Sequence, residues 1–332
     1  MRFRTGICTL ALVALAACER PPMESRQLGW RGLGLVETYN PRLHEDDSVA
    51  VAAAIPINPG PTGDATPAPP GTWQNVQVLG DLSVAEFNRT MLALTTWVSP
   101  TVGCNYCHVA GQNGVADFAS DEIYTKVVSR EMLRMVKDIN TNWASHVSDN
   151  GVTCWTCHAG NPVPENFWYY TNQNQVERHY LDRDDIRVQS DYALASEGDN
   201  RSSIKQTEFT YAVMMNMSNA LGVNCTYCHQ SARWSDWEES SPARLTALRG
   251  LRMVREANLQ HMLPLQGEWP AERLGPRGDG PKLECATCHQ ERFVPNYRLL
   301  TGADWPALHG PAVAAAAAPD TSAGAVVGGG GR

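Results

Sequence analysis

Nowhere in the 332 residues after the first twenty does an apolar run approach the ~20 residues a helix needs to cross a bilayer. Excess positive charge is missing too. The formal net charge is -8, so the chain offers no electrostatic footprint for a nucleic acid, and no such partner is expected. Unpaired cysteines are almost absent. Of ten cysteines, all but Cys8 and Cys18 stand in pairs two residues apart. A disulfide framework has no reason to place every pair at that spacing. A zinc ribbon uses such pairs but does not need a His after each second Cys.

What is present is the pentapeptide Cys-X-X-Cys-His, four times over. The copies are Cys104–His108 with Cys107, Cys154–His158 with Cys157, Cys225–His229 with Cys228, and Cys285–His289 with Cys288. This is the attachment signal of c-type haem. Two thiols add to the two vinyl groups of one porphyrin, and the adjoining imidazole is placed under the iron. Because both thioethers and the iron bond must reach one rigid macrocycle, the spacing is tight. Four copies predict four covalently attached haem c groups.

The N-terminus carries Arg2 and Arg4, then an apolar run from Ile7 to Ala17 that is too short for a comfortable membrane span. Residues 1–17 read as a signal peptide. Leu15-Ala16-Ala17-Cys18 resembles the lipobox of bacterial lipoproteins, which predicts diacylglycerol on Cys18, with an N-acyl chain as a further modification. Two acyl chains anchor stably where one is marginal. The mature chain is expected outside the cytoplasmic membrane, where c-type haem is attached and disulfide-permissive chemistry prevails.

Residues 18–80 hold no haem motif and include a Pro-rich stretch, Ile55 to Gly71, that favours an extended strap. A first two-haem unit is expected at 81–170, a connector at 171–203, a second two-haem unit at 204–310 and an Ala/Gly-rich tail at 311–332. The porphyrins must supply much of the interior of so compact a body. The fold class is therefore mainly α with long loops and little sheet. The halves echo each other. Leu133-Arg-Met-Val-Lys-Asp-Ile-Asn140 matches Leu251-Arg-Met-Val-Arg-Glu-Ala-Asn258, and the first and third motifs end alike. Two pseudo-symmetric two-haem halves are the simplest account.

Distal ligands decide redox character. Met91, Met132, Met135, Met214, Met215, Met217 and Met253 fall in predicted helices preceding a motif. Any single methionine is more often a core filler, but a helix across the open haem face lets its thioether reach the iron. Met91 stands near the first motif without a rival. In the second helix, Met135 aligns with Met253 and Met132 aligns with Gly250. If Met253 is a shared packing residue, the ligand is Met132 and the fourth haem lacks a matching methionine. Histidines outside the motifs are its candidates: His44, His146, His179, His261 and His309. The pattern ranks His146 a little above His261.

The whole arrangement resembles the tetrahaem cytochrome subunit of purple-bacterial photosynthetic reaction centres. Gly29-Trp30-Arg31-Gly32-Leu33-Gly34, Tyr39-Asn40-Pro41-Arg42, Val76–Gly80, Asn224–His229 and Gly250–Arg255 carry the resemblance. It implies three Met/His haems and one bis-His haem. The pairs it implies are Met91 with His108, Met132 with His158, Met214 with His229, and His146 with His289. It further implies an electron-transfer role without an open iron, on the periplasmic face of the photosynthetic inner membrane. The implied partners are the reaction centre L and M subunits. The implied donor is a soluble cytochrome c or a high-potential iron-sulfur protein. Asp117, Asp121 and Glu122, and separately Asp236, Glu238 and Glu239, are candidate donor contacts, with a solvated face as the competing explanation.

Overall fold

The computed structural model describes residues 24–27, 36–39, 41–58, 60, 63–69, 72–111, 115–170 and 204–310. Cys18, the connector at 171–203 and the tail at 311–332 lie outside them. The chain divides into two compact units, Met1–Ala54 with Thr226–Arg244, and Ile55–Cys225 with Leu245–Arg332.

In the first unit, strands β1 (Glu24–Gln27) and β2 (Val36–Tyr39) pair antiparallel, and helix α1 (Pro41–Ala54) follows. The helix ends just before the Pro-rich stretch that begins at Ile55. Val49-Ala-Val-Ala-Ala-Ala54 is rich in alanine, the strongest helix former, and carries the helix up to the first proline of the Pro-rich run. Within Thr226–Arg244, the segment 228–241 is built from turns and bends. The Asp236 carboxylate accepts from the backbone amides of Glu238 (2.9 Å) and Glu239 (3.2 Å).

The second unit is helical. Helix α2 (Val84–Val98) starts at Ser83, whose hydroxyl accepts from the Glu86 amide. Its buried stripe of Thr90, Ala93 and Trp97 repeats at helical spacing, and Trp97 meets Trp305 edge-on at 4.5 Å. Strands β3 (Val109–Ala110) and β4 (Ala116–Asp117) form a short antiparallel ladder just after the first motif. Helix α3 (Tyr124–Asn142) buries Leu133, Met135, Val136 and Ile139 in the core. A break at Trp143 leads into the single turn α4 (Ala144–Val147), which carries His146. The remaining helices are α5 (Cys154–His158), α6 (Ile204–Leu221), α7 (Pro242–Ala257) and α8 (Cys285–His289). A π-helical turn, Asn258–Met262, extends α7. With two two-stranded sheets among the described residues, the expected helix-and-loop architecture with little sheet is what the structure shows.

The repeated helices end in the same device. Asn140, at the end of α3, accepts from the Val152 amide (2.7 Å) and donates to the Val152 carbonyl (3.0 Å). Asn258, at the end of α7, does the same to Leu283, at 2.7 and 2.9 Å. Val152 and Leu283 each stand two residues before a motif cysteine. A buried asparagine thus pins the entry to the second motif and another pins the entry to the fourth. The capping boxes that follow are also alike, Thr153 with Thr156 and Glu284 with Thr287.

Candidate haem-binding sites

The four motifs fold in two ways. The first and third are 3-10 turns, Gly103–Tyr106 and Cys225–Tyr227, whereas the second and fourth are the α-helical turns α5 and α8. Each α turn closes on a left-handed residue, Ala159 and Gln290, which lets the chain reverse directly after the histidine.

A haem ligand must be a neutral imidazole with one nitrogen free for iron, and a carbonyl on the other nitrogen fixes that tautomer. Three motif histidines have it. His158 donates from Nδ1 to the Asn161 carbonyl (2.9 Å), His229 to that of Trp234 (2.9 Å), and His289 to that of Arg292 (2.8 Å). Burial drives these rings toward the neutral form, and for His289 it brings the pKa down to about 4. His108 is the exception, since its buried Nδ1 has no hydrogen-bond partner. Burial, then Lys126 and Arg130, push its pKa down.

The first site is an open cavity of about 960 Å³. Met91 and Thr95 of α2 line it, together with Cys104, Cys107 and His108. The cavity is of the size that holds large planar ligands. It presents a thioether, two thiols and an imidazole together, which is the donor set a Met/His haem c requires. Lys126 and Arg130 also line it, but both are committed to protein partners. Arg130 grips Asp121 bidentately at 2.9 and 2.7 Å, and Lys126 reaches the Phe118 and Ser120 carbonyls at 2.8 and 2.6 Å. Asp121 is therefore an internal anchor. Its Arg130 partner holds the carboxyl far below the usual range. Asp117 caps the Ala119 and Ser120 amides at 2.9 and 3.0 Å. Two of the three acidic residues near the first motif thus have structural employment.

The fourth site brings together side chains more than a hundred residues apart. The His146 and His289 rings lie with centroids 6.1 Å apart. Two imidazoles sharing one metal need about 2.0 Å of bond on each side, plus roughly 1.1 Å from each nitrogen to its ring centre, which sums to about the same spacing. His146 donates from Nδ1 to the Thr246 carbonyl at 2.9 Å, which leaves Nε2 as the nitrogen available to a metal. The rival candidate, His261, is placed elsewhere. Its Nδ1 meets Glu131 at 2.7 Å and its Nε2 faces Asp138 at 3.5 Å, so both nitrogens point at carboxylates of α3.

For the second site, Met135 and Met253 are both core residues, at 5 % and 7 % exposure, whereas Met132 is half-buried at the edge of the core. The shared packing pair is thus visible, and Met132 remains as the methionine of α3 without that duty. Helix α6 packs on the fourth motif as α2 packs on the second. Gly160, two residues past His158, donates to the Trp97 carbonyl of α2 (2.9 Å); Glu291, two residues past His289, donates to the Ala220 carbonyl of α6 (3.0 Å). Aligning Ala220 with Trp97 places Met214 opposite Met91. Met214 and Met217 are half-buried beside the core, and Met215 is 40 % exposed. His229 lies in the other compact unit, stacked on Trp234 at 4.9 Å with the rings nearly parallel.

The second and fourth motifs adjoin, with the Cys157 and Cys288 sulfurs in contact at 2.7 Å. These thiols stand for the sulfurs that become thioethers once haem is attached. Sequence reasoning missed the asparagine clamps. The repeated Asn at the end of both helices was the available signal.

A family profile described as photosynthetic reaction centre cytochrome C subunit matches the chain twice, over residues 19–181 and 172–309. The chain belongs to that family. Its relatives include the photosynthetic reaction center cytochrome c subunit of Thermochromatium tepidum, 42% identical over 93% of this chain and 80% of the relative. The subunit of Rubrivivax gelatinosus is 41% identical over 95% of this chain and 92% of its own length. That of Roseobacter denitrificans is 34% identical over 91% and 90%. The double match of the family profile runs parallel to the duplicated clamps and motif turns. Among the described residues, no helix is long and apolar enough to cross a membrane.

Proposed function

We propose that the chain carries four covalent haem c groups and passes single electrons from a soluble periplasmic donor to the photo-oxidised special pair of a reaction centre. The observation that carries the reading is the paired filling of the sites. Met91 shares a cavity with His108, and His146 faces His289, so two of the irons would have a protein ligand on each side. Met132 with His158 and Met214 with His229 complete the proposed set. A cytochrome with every axial position filled excludes substrate from iron, which favours electron transfer over catalysis at an open haem.

When bound, haem supplies reversible one-electron iron chemistry. The chain supplies the rest. The motif cysteines fix each macrocycle in place, and the carbonyl-bonded histidines hold one tautomer. Thioether ligands raise the potential relative to a second imidazole. The position ligated by His146 and His289 is therefore the low-potential member of the set, other influences being equal. Contact between the second and fourth motifs supports passage of electrons between the two halves.

Membership of the reaction centre subunit family supports docking on the L and M subunits at the periplasmic face. The lipobox supports a diacylglycerol anchor on Cys18. A soluble cytochrome c or a high-potential iron-sulfur protein is the proposed donor, in keeping with the acidic net charge of -8 for a basic partner. The test is flash-induced absorbance in native membranes with the haems reduced. Rapid haem oxidation matched by re-reduction of the pigment is expected. Intact haems that stay reduced after the flash, beside active reaction centres, would place the protein in dark periplasmic electron transport.

A further inference from the structure

We infer that Gly250 is the positioning residue that selects histidine over methionine at the fourth haem; the inference rests on the ligand set proposed above. Aligning Asn258 with Asn140, the two residues that pin the motifs, puts Gly250 of α7 where α3 has Met132. One repeat has a methionine at this position and the other has no side chain at all. Glycine inside a helix weakens it relative to almost any other residue, so its presence here needs a packing reason.

The reason is the His146 ring. A Cβ built on Gly250 would overlap His146 Cε1 and lie 2.9 Å from both ring nitrogens, well inside the ~3.5–4.0 Å of ordinary contact. Thr246 and Gly250 lie one turn apart on the same face of α7. To donate to the Thr246 carbonyl at 2.9 Å, the imidazole must lie flat over the Gly250 backbone. A second tie, from Arg249 to the Ser145 carbonyl at 3.3 Å, holds α4 against α7 beside it. The vacancy left by the missing side chain is thus the seat of an imidazole from the other half. From that seat the ring faces His289 at 6.1 Å. Where α3 carries the Met132 thioether, α7 therefore carries none, and the space at Gly250 is taken by the imidazole of His146.

The experiment uses the full haem-loaded chain in its native membrane, with G250A, H146A, the double variant G250A/H146A and G250M/H146A. Haem stoichiometry, near-infrared magnetic circular dichroism and the individual midpoints are read. In G250A the bis-histidine signature of one haem is expected to be lost and its midpoint shifted, with the other three haems unchanged. In G250M/H146A a methionine-to-iron charge-transfer band should appear, with a higher midpoint at that haem. A wild-type bis-histidine signature and midpoint in G250A overturns the inference. If H146A itself leaves the signature intact, the ligand assignment fails instead, and the two failures are told apart. Should G250A fail to assemble four haems, removal of the imidazole in G250A/H146A relieves the overlap and restores the count. No recovery in that double variant likewise overturns the inference.

Discussion

The first and fourth sites share a pentapeptide and little else. The first is a 3-10 turn beside an open cavity of about 960 Å³, with Cys104 exposed and no hydrogen bond on His108 Nδ1. The fourth is an α turn with Cys285 buried, its entry pinned by Asn258 and its histidine bonded to the Arg292 carbonyl. At the first site the candidate methionine and the motif stand close together in the chain, Met91 only a short distance before Cys104. The fourth is assembled by the tertiary fold, from both halves of the repeat. The same attachment chemistry therefore tolerates very different supports, because the covalent thioethers, not the surrounding protein, retain the cofactor.

The sharpest way to break this comparison is to cut the supports. Asn140→Leu leaves the Val152 amide and carbonyl and the Leu308 carbonyl without their partner in a buried place. At about 1–3 kcal/mol for each unsatisfied group, a loss of about 3–5 kcal/mol is expected. Asn258→Leu strips two bonds at Leu283 and should cost about 2–4 kcal/mol, although Trp168 still donates to the Leu283 carbonyl at 2.9 Å. Denaturant midpoints of the haem-loaded chain measure both. No change in either would mean that the haems alone set the stability of these turns.

A second test concerns the ion cluster on α3 that joins Glu131 to Arg134 and His261. Burial opposes ionisation of Glu131, yet hydrogen bonds from His261 and Arg134 overcome it and lower its pKa. A folded-state value below the unfolded one means that the unfolded chain takes up the proton first as pH falls. The stabilisation is thus present above the unfolded carboxylate range and is lost as pH drops through the folded value. Glu131→Gln should cost about 1–2 kcal/mol at neutral pH, and the gap to the wild type should close toward pH 3. Denaturation series at the two pH values read this directly. A gap that stays constant with pH would assign the cost to packing.

The smallest expected effect on stability is at the first ligand. Met91 is half-buried between the open cavity and the edge of the core, so Met91→Ala removes only part of a core contact. The haem should stay attached through Cys104 and Cys107, its midpoint should fall, and its iron should accept carbon monoxide. Redox titration with ligand-binding spectra decides this, and an unchanged midpoint with no binding would remove Met91 from the ligand set. His146→Ala, by contrast, should perturb the fourth haem while sparing the second, and the reverse pattern would sink cross-half ligation.

Local chemistry was legible without coordinates. Attachment demands two thiols and an imidazole within five residues, so the motifs, the haem count they predict and the helix-rich fold class could be read from order alone. The aligned helices also marked Met135 and Met253 as a pair, and both prove to be core residues. Helix α1 ends at Ala54, just before the Pro-rich stretch, and no motif in it marked it in the sequence. Order alone ranked His146 only a little above His261, since both lie near the end of a repeated helix, and the family resemblance pointed to His146. The tertiary structure puts the two rings in different surroundings. It turned both nitrogens of His261 toward the carboxylates of α3, and it laid His146 on a glycine that sequence pattern had matched with a methionine. Covalent bonding to a rigid ring is a short-range constraint and is written in the chain. The second axial ligand arrives through space, and space belongs to the fold.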